Sequence, residues 1–65
     1  MSEYKEIFIN ELGNKITISV SEKEIESIKG ILLHIVGPAS EIENHMTLEE
    51  VKVLRKLLTS LLNNL

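Results

Sequence analysis

Between Thr47 and Leu65, valine and leucine cover half the circumference of a helix, more apolar surface than a chain of 65 residues can readily bury. Val51, Leu54, Leu58, Leu61 and Leu65 centre the stripe, and Leu48, Leu57 and Leu62 widen it to about 180°. Thr47 suits an N-cap, and Glu50, three residues on, can reach back to it, which makes a capping box. Met46 precedes the cap and can staple onto Val51. The spacing predicts a helix over residues 47–63. From Leu58 to Leu65 no side chain is charged.

Residues 4–20 read as a β-hairpin. Ile7 and Ile9 alternate with Phe8 and Asn10, and Ile16, Ile18 and Val20 alternate with Thr17 and Ser19. Gly13-Asn14 fits a two-residue primed turn, because both residues tolerate positive φ. That turn would pair Leu12 with Lys15, Ile9 with Ile18 and Ile7 with Val20. Ile7, Ile9, Ile16, Ile18 and Val20 would then form the core face, and Phe8 would lie opposite Ser19 on a largely polar face.

Residues 21–36 read as a first helix. Ser21 and Glu24 make a second capping box, with Val20 and Ile25 as its staple. Ile25, Ile28, Ile31, Leu32, Ile35 and Val36 fall within an arc of about 140°. Gly30 costs a helix interior about 1 kcal/mol. The competing reading makes Gly30 to Val36 a third strand, since it is short, apolar and bounded by glycine. Gly37 and Pro38 end the element, and residues 37–46 read as a long loop between helices. The expected fold is α+β: one domain over 1–65, a hairpin followed by two amphipathic helices, ββαα.

Two such helices on one hairpin leave apolar surface over. Burying four more leucines is worth about 6–12 kcal/mol before ordering costs, against about 5 kcal/mol for a domain this small. Self-association is therefore expected, with Leu54, Leu58, Leu61, Leu62 and Leu65 as the oligomer interface.

Chemistry is thinly represented. There is no cysteine, which excludes disulfides and thiolate metal sites. Net charge is −3, so neither nucleic acid nor anionic lipid is attracted in general. Lys52, Arg55 and Lys56 form a basic helical turn, but Glu49 and Glu50 precede it. Ser40, His45 and nearby glutamates have the residue types of a hydrolytic triad without a frame to hold it. His45 and Glu49 are too few for a metal site. No enzyme activity, metal or cofactor is expected. The N-terminal residues lack a signal-type apolar run and no stretch has the length of a membrane span, so a cytoplasmic protein is expected.

Two functions fit. In the first, a homo-oligomer binds another protein and modulates or inhibits it. In the second, an oligomeric sponge holds a small phosphorylated or nucleotide-like anion at the 37–47 segment and a subunit interface. Ser40, Asn44, His45 and Thr47, with Arg55 and Lys56, are the candidate ligand- or partner-binding residues in either case.

Overall fold

The computed structural model describes residues 2–65. It contains one antiparallel sheet of four strands in sequential order, β1 (Glu3–Ile9), β2 (Lys15–Ile25), β3 (Ile28–Val36) and β4 (Glu41–Thr47). A single helix, α1 (Leu48–Asn63), follows β4 directly. The architecture is ββββα, and the expected ββαα fold is wrong in its middle third.

The C-terminal helix forms where its caps place it. The Thr47 hydroxyl accepts from Glu50 N at 3.3 Å, and Thr47 N donates to Glu50 Oε1 at 2.8 Å. The expected first helix does not form. Its first residues extend β2 to Ile25, and Ile28 begins β3. Ser21 and Glu24 lie inside β2, where they pair with Leu32 and Lys29. The local capping signal loses to a nine-pair ladder between β2 and β3. The apolar run Ile31-Leu32-Leu33 suits an interior strand, whose two faces are both partly covered. The turn joining these strands is Glu26-Ser27, with φ of 49° and 66°. Two left-handed residues make a primed hairpin turn, but neither is Gly, Asn or Asp, so the sequence carries no turn signal there.

The first hairpin closes differently from its expected register. Ile9 pairs with Lys15, Phe8 with Ile16 and Ile7 with Thr17. Asn10 begins a type I-like turn in which Gly13 N donates to Asn10 O at 3.0 Å and Gly13 takes φ 83°. The Asn10 side-chain oxygen accepts from Leu12 N and Asn14 N, each at 3.0 Å. This is the three-residue loop with a glycine bulge rather than a two-residue turn. The slip is three residues, an odd number, so β1 turns its other face to the core.

The expected long loop at 37–46 is also absent. The β3–β4 connection is a tight turn around Pro38-Ala39, closed by Gly37 N donating to Ser40 O at 2.8 Å. Pro38 supplies the fixed φ that the first turn position wants. Residues 41–47 form β4, with Ile42 paired to Ile35 and Met46 to Ile31. Gly30 pairs with Thr47 and is the one buried residue among those described. A Cβ there would collide with the carbonyl oxygen of Met46. The same hairpin could not approach so closely with any other residue at 30.

Candidate interaction surfaces

The registers sort side chains onto two faces. One carries Tyr4, Glu6 and Phe8 from β1, then Ile16, Ile18 and Val20 from β2. Ile31, Leu33 and Ile35 from β3 and Ile42, Asn44 and Met46 from β4 complete it. This face is apolar apart from Glu6 and Asn44 until it reaches the β2–β3 turn, where Glu22, Glu24 and Lys29 lie on it. The opposite face is polar at its centre. Lys5, Ser19, His34 and Glu43 lie in register across all four strands, flanked by the row Glu3, Ser21, Leu32 and His45 on one side and by Ile7, Thr17, Val36 and Glu41 on the other.

The apolar face is not closed. No hydrophobic side chain among the described residues is buried. Tyr4 is 71% exposed and Phe8 43%. The helix packs mainly against β4 and β3, with Val51 and Leu54 half-buried there. Its outer part is bare: Leu61 is 57% exposed and Leu65 90%. The chain exposes 5656 Å², whereas a folded monomer of this mass exposes about 4,200 Å². The radius of gyration is 13.5 Å, against about 10.7 Å for a compact domain of this length.

The six candidate binding residues are not brought together. Ser40 lies in the β3–β4 turn. Asn44 and His45 are successive residues of β4, so Asn44 joins the apolar face and His45 the polar one. Thr47 is taken up by capping. Arg55 and Lys56 are exposed on the helix. The first helical turn, which adjoins the 37–47 segment and would be its natural anion acceptor, holds Glu49 and Glu50, which oppose a second negative charge. Of the expected interface leucines, Leu54 is half-buried while Leu58, Leu61, Leu62 and Leu65 are exposed.

The polar face holds a constellation that the helical reading of residues 21–36 concealed. His34 Nε2 donates to Glu41 Oε2 at 2.5 Å, and Ser19 pairs with His34 on the neighbouring strand. In a strand reading of Gly30 to Val36, period-two spacing would have placed His34 on this face. These are the residue types of a nucleophile, base and orienting acid. Their setting does not support acyl transfer. Ser19 and His34 belong to the two interior strands, whose backbone N–H groups are committed to the ladders, so the face offers no oxyanion donors. The His34 and Glu41 side chains are 32% and 63% exposed, where an ion pair contributes about 0–1 kcal/mol. No cluster of three or more metal-ligating side chains occurs among the described residues. The cleft between the β2–β3 turn and the start of the helix, lined by Glu22, Lys23, Lys29, Gly30, Ile31 and Leu48, has mixed charge and encloses no chemistry-bearing group beyond Lys and Glu. No helix among the described residues is long and apolar enough to cross a membrane.

Comparison with protein-family models, with curated proteins and with solved structures finds no match to this chain.

Proposed function

We propose that this chain is a non-catalytic binding protein that works as a homo-oligomer, with folding completed by association, and that it modulates a partner protein through the surface the oligomer leaves exposed. The observation that carries this reading is the unburied apolar face. An excess of about 1,400 Å² per chain over a monomer's expected surface would put about 2,800 Å² into a dimer, within the range of obligate homodimers. Once that face is covered, the opposite face is the outward surface, with the row Lys5, Ser19, His34 and Glu43 at its centre and Ile7 and Ile9 exposed beside it. A polar centre of mixed charge with apolar side chains beside it suits a protein partner better than a small ligand.

Sedimentation equilibrium between about 1 and 100 µM tests the oligomer, where a dimer with a Kd near 0.1 µM would be almost wholly assembled. A dimer or larger species is expected across the range. A folded 7.4 kDa monomer at the top concentration contradicts the reading.

A further inference from the structure

Two apolar surfaces of this chain are bare at once, and they differ in shape. One is the β1–β2 half of the sheet's apolar face, marked by Tyr4, Phe8 and Ile18. The other is the outer half of α1, marked by Leu58, Leu61 and Leu65. They do not cover each other within one chain, because α1 packs mainly against β4 and β3, on the side of the sheet away from β1. We propose that in the homodimer they cover each other between chains: the outer half of α1 from one copy lies across the β1–β2 half of the apolar face of the other, and the exchange is reciprocal about a twofold axis.

Three features support this arrangement, which rests on the homo-oligomeric reading above. The dimensions agree. The uncharged helical segment from Leu58 to Asn63 rises about 9 Å, and two paired strands with their flanks span about 10 Å. The charge pattern agrees. A helix seated across a sheet loses water along its contact stripe, the last eight residues carry no charged side chain to desolvate, and the one charge on the covered half where β1 and β2 pair, Glu6, lies on the edge strand. The area agrees. Two symmetric helix-on-sheet contacts remove both bare surfaces together and so draw on more of the excess of about 1,400 Å² per chain than either surface alone. Pairing helix with helix alone would leave Tyr4 and Phe8 wet, and pairing sheet with sheet alone would leave Leu61 and Leu65 wet.

The chain has one tyrosine and one phenylalanine, so its phenol and phenyl ring signals belong to Tyr4 and Phe8 alone, and only the imidazole protons of His34 and His45 share the aromatic region. A mixed dimer of isotope-labelled and unlabelled wild-type chains, read by filtered NOE spectroscopy, reports contacts between copies without any mutation. Intermolecular NOEs from the Phe8 and Tyr4 rings to leucine methyls of the C-terminal segment are expected. The chain also lacks cysteine, so single cysteines report pairing cleanly. An equimolar mixture of Ile18→Cys and Leu61→Cys chains, refolded together and mildly oxidised, should form the mixed disulfide several-fold in excess of either homodisulfide. A dimer with no ring-to-leucine NOEs between copies, or with Leu61→Cys homodisulfide dominant, overturns the exchange while leaving the oligomer standing. A monomer in the same samples removes both.

Discussion

Phe8 lies directly across the β1–β2 ladder from Ile16, on the face that carries Ile18, Val20, Leu33 and Ile35. Its neighbour Ile9 pairs with Lys15 and points to the opposite, polar face. One residue of sequence therefore separates the apolar face of the sheet from the polar one.

These two residues should respond differently to the same change. Phe8→Ser is expected to weaken self-association by 2 kcal/mol or more, about a 30-fold rise in dimer Kd. Ile9→Ser, at a site 65% exposed on the polar face, should stay within about ±0.5 kcal/mol. Sedimentation of both variants over a dilution series makes the comparison. Equal effects would mean that the two faces are not distinguished by assembly.

Gly30 offers a test of the sheet itself. A methyl at this position would strike the Met46 carbonyl, and the backbone there is held by the Gly30–Thr47 pair and the start of α1. Gly30→Ala should destabilise by about 2 kcal/mol or more, well beyond a surface change, as read by urea denaturation at fixed chain concentration. Were residue 30 inside a helix, the same substitution would instead stabilise by about 1 kcal/mol. The sign of the effect separates the two architectures.

The turn at Glu26-Ser27 places two non-glycine residues at positive φ, a conformation that costs L-residues about 1–2 kcal/mol each. Glu26→Asn with Ser27→Gly supplies the residues a primed turn prefers. The double variant should gain about 1–2 kcal/mol in the same denaturation assay without altering assembly. A loss would show that these side chains contribute more than the backbone strain they impose.

Those two residues also explain what the sequence concealed. The C-terminal helix was legible because Thr47 and Glu50 form a complete local signal, and the structure uses both. The turns were less so. Gly13 marked the first hairpin, but Asn10, whose side chain organises the loop, reads as one more strand residue until its hydrogen bonds to Leu12 and Asn14 are seen. Glu26-Ser27 carries no turn chemistry, so Ser21 and Glu24 could pass for a helix start, and the pairing of β2 with β3 decided otherwise. Asn44 and His45 looked like one polar cluster because a strand's alternation separates neighbours that a loop would keep together. The bare outer half of α1 was legible as surplus leucine. The matching bare face on β1 and β2 was not, because it depends on a register that slips by three residues.

Removing the cap tests how far the helix depends on its own signals. Thr47→Ala should cost about 1 kcal/mol of stability and lower helical circular dichroism modestly. A much larger loss would indicate that α1 is held in place by the cap and not by packing against another copy.

The central claim is that association completes this fold, and the concentration dependence of thermal unfolding tests it most directly. Unfolding of wild-type chain followed by circular dichroism from about 200 to 2 µM should show Tm falling by roughly 5 °C for each tenfold dilution, as mass action requires of an obligate dimer of this size. A Tm that does not change over that range, with a folded 7.4 kDa species in the sedimentation profile, would contradict the account.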